Sequence, residues 1–148
     1  MKIATWNVNS LKVRLPQVTE WLQSAQPDVL VLQEIKQLTE TFPVDAFADL
    51  GYQAMASGQK TYNGVATVSR TPMHDAITDI PGLDDPQRRV LATTIDGVRV
   101  INLNWRSTSA WSCWAISISR PTIAMYTIRQ NGRMTSSAVR QNAQHLAN

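Results

Sequence analysis

Apolar residues in this chain fall into short blocks whose spacing switches between the periods of strand and helix. Lys2 to Asn7 is apolar-biased and β-capable, and a polar turn through Asn9 and Ser10 follows it. From Pro16 to Ala25, Val18, Trp21 and Leu22 stand at helical spacing, with Pro16 allowed in a first turn. Pro27 and Asp28 stop that helix, and Val29-Leu30-Val31-Leu32 is the unbroken apolar run of a strand buried on both faces. These elements predict a βαβ start. Pro43 to Leu50 reads as a short helix closed by Gly51, Tyr52 to Ala56 as a strand, and Gly58 to Gly64 as a turn into a strand over Val65 to Ser69. A polar loop with Pro72, Pro81 and Pro86 comes next. Arg88 to Ile95 and Val98 to Asn104 then alternate on either side of Asp96-Gly97, a strong hairpin signal. The pattern is α/β with an antiparallel part in its sheet. Beyond Asn104, Ser112 to Ser119 can be drawn as a strand and Ser136 to Leu146 as a helix, in a tail expected to be weakly structured.

Composition narrows the class. A chain of 148 residues with 43% apolar and 17% charged positions suits one domain with a modest core. No apolar run approaches the roughly 18 residues of a membrane helix, and Met1 opens on a strand pattern without a charged leader, so a soluble, cytoplasmic chain is expected. The single Cys113 excludes an intramolecular disulfide and a cysteine-based zinc site. The formal charge of +3 suggests nucleic acid, but its distribution is uneven. Met1 to Asn104 holds nine basic residues against all 11 acidic ones, whereas the 44 residues from Trp105 to Asn148 hold five Arg and no acid.

Two polar residues emerge where strands end, Asn7 and Glu34. Sites collect at such ends because the sheet holds the side chain and the loops leave it room. A carboxylate there can hold a hard cation such as Mg²⁺, which takes oxygen ligands and keeps several waters, and an Asn beside it can orient a phosphate or a metal-bound water. Spacing alone equally allows Asn7 as a turn cap and Glu34 as an ordinary strand-end charge. Arg88 and Arg89 alternate in their strand, so only one faces any given site, and a structural salt bridge suits either. His74 and His145 have no partner at ligand or triad spacing.

Five segments add to this reading: Thr5 to Ser10, Gln26 to Lys36, Gly58 to Ala66, Asp85 to Val90 and Val100 to Leu103. In that order they resemble the exodeoxyribonuclease III family of bacterial apurinic/apyrimidinic endonucleases, within the endonuclease/exonuclease/phosphatase superfamily. The resemblance covers about Met1 to Leu103. It implies the N-terminal part of a four-layer α/β sandwich, two packed mixed sheets flanked by helices. It also implies a DNA repair phosphodiesterase that depends on Mg²⁺, or Mn²⁺ in its place. Such an enzyme cuts double-stranded DNA at abasic sites and trims 3′ ends, with no membrane and no obligate protein partner. Glu34 would be the metal carboxylate and Asn7 its neighbour in the metal and phosphate site. Lys60, Tyr62 and Asn63 would lie on a loop reaching DNA, although a plain β-turn fits that segment as well.

The resemblance breaks after Leu103. Asn104 stands where the family has Tyr, and the later Gly-Asp-Phe-Asn and Ser-Asp-His motifs are absent from Trp105 to Asn148. With them go the catalytic base, the acid-side His and most metal ligands. Reading Trp111 to Ile118 one nucleotide out of register permits Leu-Val-Val-Leu, forces Gly, and then permits Asp-Phe-Asn. The expectation is therefore a partial domain over residues 1–104 and an out-of-frame tail over 105–148, left by an internal deletion and a frameshift. A sandwich so halved should leave one sheet without a partner for its inner face and should be catalytically inactive. The alternatives are a non-catalytic DNA-binding remnant held by the Arg-rich tail and another phosphoesterase of the superfamily acting on a lipid or sugar phosphate. The close match at Gly58 to Ala66 and Asp85 to Val90 speaks against the latter.

Overall fold

The computed structural model describes residues 1–78, 82, 86–107, 110–118, 123–128 and 134–139. Strand β1 (Lys2–Asn7) turns through Asn9 and Ser10 into helix α1 (Leu11–Ala25), and β2 (Val29–Gln33) returns parallel to β1. The helix begins five residues before Pro16, so the proline lies inside it. Its start is set by tertiary contact: Leu11 is fully buried and its amide donates to Ile35 O at 3.0 Å. At the other end Gln26 adopts a left-handed conformation and donates to Leu22 O, closing the last turn before Pro27.

Helix α2 (Val44–Ala48), β3 (Gln53–Ser57) and β4 (Val65–Ser69) follow, then β5 (Met73–Ile77), β6 (Val90–Ile95), β7 (Val98–Ser107), β8 (Ala110–Ile118), β9 (Ile123–Ile128) and β10 (Met134–Val139). They form two sheets. The first runs β10-β9-β1-β2-β4-β3 and is mixed, with β1 parallel to both β2 and β9. The second runs β5-β6-β7-β8 and is antiparallel throughout, where a mixed sheet was expected. Among the described residues α1 and α2 both pack on the first sheet, so the sandwich is helix on sheet on sheet.

The apolar run of β2 explains the layering. Leu30 and Leu32 face α1 and α2 with Ala4, Trp6, Ala66 and Val68, packing on Leu11, Val18, Leu22 and Phe47. Trp6 meets Trp21 of α1 edge to face at 6.1 Å, and Phe42 stacks on Phe47 at 5.4 Å. Val29 and Val31 point the other way, joining Ile3 against Ile95, Val98 and Val100 of the second sheet. Period-two alternation thus feeds two cores from one strand.

Several expectations change. The first sheet does not lack a partner for its inner face, because β6 and β7 cover it. The hairpin at Asp96-Gly97 forms with φ of 49° and 74°, the doubly positive turn that those residues favour. Arg88 and Arg89 precede β6 rather than belong to it, so strand alternation does not govern them. Strand β5 occupies what reads as polar loop: it is a largely exposed edge strand, shifted in register between His74 and Ile77, and carries little apolar signal. The tail is not without structure. Ser112 to Ile118 falls within β8, paired along β7, and β9 lies parallel to β1. Ser136 to Val139 is strand in β10 and not helix, paired with β9 from Met134 to Val139; the rest of that segment, with His145, lies outside the described residues.

Candidate functional site

The C-terminal ends of β1 and β2 lie side by side, Asn7 opposite Gln33. Backbone hydrogen bonds join the loops that leave them. Val8, Ser10 and Leu11 donate to the carbonyls of Gln33, Glu34 and Ile35 at 3.0, 2.8 and 3.0 Å. Ile35 and Lys36 in turn donate to Gly64 O and Asn63 O at 3.2 and 3.0 Å. The loop before β4 is thereby drawn against the loop after β2. Two glycines make that approach feasible. A Cβ on Gly58 would stand 2.2 Å from Gln37 O, and one on Gly64, at φ +80°, would stand 2.7 Å from Ile35 Cγ1.

Backbone strain concentrates in the same loops. Asn9, Ser10, Glu34, Lys36, Thr61 and Asn63 all have φ between 46° and 93°. Such conformations cost a residue with a Cβ on the order of 1 kcal/mol and persist only where surrounding contacts impose them, commonly at functional sites.

Asn7 and Glu34 come together. Asn7 Nδ2 donates to Glu34 Oε1 at 3.2 Å, while Asn7 Oδ1 accepts from the Asn9 amide at 3.1 Å. The second contact fixes the orientation of the first, so Asn7 presents nitrogen, not oxygen, to the carboxylate. Glu34 is 6% exposed, and its other oxygen lies 3.5 Å from Lys36 Nζ, which also donates to Asn9 Oδ1. Asn9 and Lys36 complete a four-residue cluster of which only Asn7 and Glu34 stand out in the sequence pattern. The signal available was the placement of each two residues beyond its predicted neighbour.

The loop residues Lys60 and Tyr62 are exposed, Tyr62 at 67%, and Asn63 is half-buried with its carbonyl on Lys36 N. They border the cluster through Asn63 and contribute no side chain to it in the hydrogen bonds above. Gln59 of the same loop, oriented to satisfy both ends of its amide, donates to Pro86 O and Gln87 O at 3.0 and 2.9 Å. Arg89 is anchored there as well: its Nη2 donates to Gln87 Oε1 and its carbonyl accepts from Asn104 N. Among the described residues this amide is the side-chain partner of Arg89; Asp84 and Asp85, the acids nearest in sequence, lie outside them. His74 lies on the exposed edge strand β5, paired with Thr94.

The chemistry of Glu34 is compatible with a hard, oxygen-seeking cation such as Mg²⁺. Glu34 is a buried carboxylate at the mouth of a sheet, and Mg²⁺ needs no more than one or two protein carboxylates because it keeps its waters. Asn7 fits as the donor that orients Glu34. Among the described residues no group of three or more His, Cys, Asp or Glu converges, at this site or any other.

A mixed sheet whose parallel strands end on a buried carboxylate, backed by a second sheet, defines a class: the two-sheet α/β sandwich with a strand-end site. The chain belongs to the endonuclease/exonuclease/phosphatase family, whose model matches residues 4–145. It is 33% identical over 97 residues to exodeoxyribonuclease III of Haemophilus influenzae, a match covering 65% of this chain and 36% of that protein. An AP endonuclease from Archaeoglobus fulgidus superposes with a TM-score of 0.66 and 38% identity, over 68% of this chain and 39% of that one. The 3′ phosphatase NExo from Neisseria, bound to a product DNA hairpin, gives 0.69 and 39%, over 86% of this chain and 57% of that one. The chain thus spans between about a third and three fifths of the length of these relatives.

Proposed function

We propose that this chain binds the phosphodiester backbone of duplex DNA, with Mg²⁺ or Mn²⁺ held at Glu34, as a protein of the exodeoxyribonuclease III type, and that its 148 residues bind without cutting. The observation that carries this reading is the buried Glu34 carboxylate at the end of β2, with Asn7 on one oxygen and the Lys36 ammonium, which a cation would displace, on the other. When bound, the cation neutralises charge on phosphoryl oxygens. The protein's own residues do the rest: Asn7 orients Glu34, Lys36 balances it in the absence of metal, and Lys60, Tyr62 and Asn63 meet the strand beside the phosphate. Abasic sites and 3′ ends are the DNA features to test first, following the names of the relatives. A cytoplasmic setting agrees with the lone Cys113. No helix among the described residues is long and apolar enough to cross a membrane.

Absence of cutting follows from the missing partners of Glu34. Trp105 to Asn148 contains no Asp or Glu and neither of the family's later motifs, so nothing in that segment supplies a carboxylate base to activate water. Purified chain incubated with Mg²⁺ and an abasic-site duplex is expected to leave the DNA intact. Cleavage by the wild type that disappears in Glu34→Ala would overturn this half of the proposal. A second reading rests on the acid-free, five-Arg tail: sequence-independent binding through those arginines alone. It predicts steep salt dependence, indifference to Mg²⁺, and loss of binding when residues 105–148 are removed.

A further inference from the structure

The space between the two sheets changes character along its length. One end is the apolar layer of Ile3, Val29, Val31, Ile95, Val98 and Val100. Toward Glu34 the same layer turns polar: Thr5 and Thr67 flank Val31, Thr93 pairs with Val100, and Gln33 and Asn102 lie beyond them, each of these polar residues at most 2% exposed. Asn102 of β7 uses its whole amide there. Its Nδ2 donates to Leu32 O at 3.0 Å and Ala66 O at 2.8 Å, residues that face each other across β2 and β4. Its Oδ1 accepts from Gln33 Nε2 at 2.7 Å, and that nitrogen also lies 3.3 Å from Thr5 Oγ1 of β1. One side chain of the second sheet therefore ties the main chain of β2 and β4 one rung short of their ends, and holds Gln33 of the last rung, which directly precedes Glu34.

The polar end is not packed as an apolar core. Gln33 Oε1, Thr67 Oγ1 and Thr93 Oγ1 are buried with no hydrogen-bond partner among the described residues, an unfavourable state that apolar side chains at the other end of the layer avoid. What this end provides is a fixed placement. Glu34 leaves β2 in a left-handed conformation with its carbonyl on Ser10 N, so a small shift of Gln33 turns the carboxylate away from Asn7.

We propose that Asn102 and Gln33 are positioning residues for Glu34: they lock the end of β2 from beneath, so that the carboxylate is presented to a cation in one orientation. The inference rests on the reading of Glu34 as a cation holder. Its test uses the full chain, with Mn²⁺ as the probe, and compares Asn102→Ala with Val100→Ala, which loosens the apolar end of the same layer. Asn102→Ala is expected to weaken Mn²⁺ binding by about tenfold or more, the scale on which partners of metal ligands act, while Val100→Ala stays within about twofold of wild type. In native-state hydrogen exchange, the Ser10 and Leu11 amides, which bond to Glu34 O and Ile35 O, should exchange about tenfold faster in Asn102→Ala alone. Equal behaviour of the two variants in both measurements would show a packing role and overturn the proposal. Wild type that holds no Mn²⁺ would refute the cation reading instead, and the exchange comparison by itself would then decide whether Asn102 fixes this end. Should Asn102→Ala fail to fold, Gln33→Leu, which keeps the two carbonyl bonds of Asn102, carries the same predictions.

Discussion

The two ends of the layer between the sheets are built from opposite materials. The end near Ile3 and Val98 is apolar, and its side chains are held by contact alone. The end near Glu34 is buried to the same degree but polar, threaded by hydrogen bonds from Asn102 through Gln33 to Thr5. Apolar packing is non-directional and rewards burial in any orientation, whereas hydrogen bonds reward one geometry and penalise its loss. The contrast separates two tasks within a single interface: the first end holds the sheets together, and the second fixes where the strand ends point.

That division can be broken by substitutions at either end. Ile95→Ala, at a fully buried position of the apolar end, should cost about 2 to 5 kcal/mol in denaturant unfolding and leave Mn²⁺ affinity within about twofold. A large loss of metal affinity at full refolding would merge the two tasks. Gly64→Ala should cost about 1 to 3 kcal/mol, because the left-handed backbone and the 2.7 Å approach to Ile35 both resist a Cβ. Unlike Ile95→Ala, it should also weaken cation binding, since the displaced loop holds Lys36 through Asn63. Lys36→Met removes the ammonium 3.5 Å from Glu34. A pair at the edge of burial of this kind is worth about 0.5 to 1 kcal/mol, so Mn²⁺ should bind about two- to fivefold tighter, as read by calorimetry. Lys60→Ala, on the exposed rim, should leave stability within about 0.5 kcal/mol and lower the slope of log K against log salt for DNA by about 0.9. An unchanged slope would remove that loop from the DNA surface.

How much of this was legible in sequence follows from the same physics. Strand β2 was readable because burial on both faces demands an unbroken apolar run, and the β6–β7 hairpin because Asp96-Gly97 suits two successive positive φ angles. Edge strand β5 was not, since a mostly exposed strand carries no alternation. The start of α1 was hidden because it depends on a hydrogen bond from Leu11 to Ile35, across 24 positions of sequence. Ser136 to Val139 lacks any strong period, and pairing with β9 decides its state. Of the site, Asn7 and Glu34 were readable as residue types at strand ends and through family resemblance. The orientation of the Asn7 amide, the competition from Lys36 and the bond from Gln33 to Asn102, 69 positions apart, depend on how the loops and sheets stack, which local pattern does not encode.

We have proposed that Glu34, held by Asn7, is the cation-binding carboxylate of this chain. Titration of Mn²⁺ into wild type, Glu34→Ala and Ile95→Ala, followed by electron paramagnetic resonance of the free ion, tests it most directly. One Mn²⁺ should bind to wild type and to Ile95→Ala, and binding should weaken by about two orders of magnitude or be lost in Glu34→Ala. Equal Mn²⁺ binding by Glu34→Ala and wild type would contradict it.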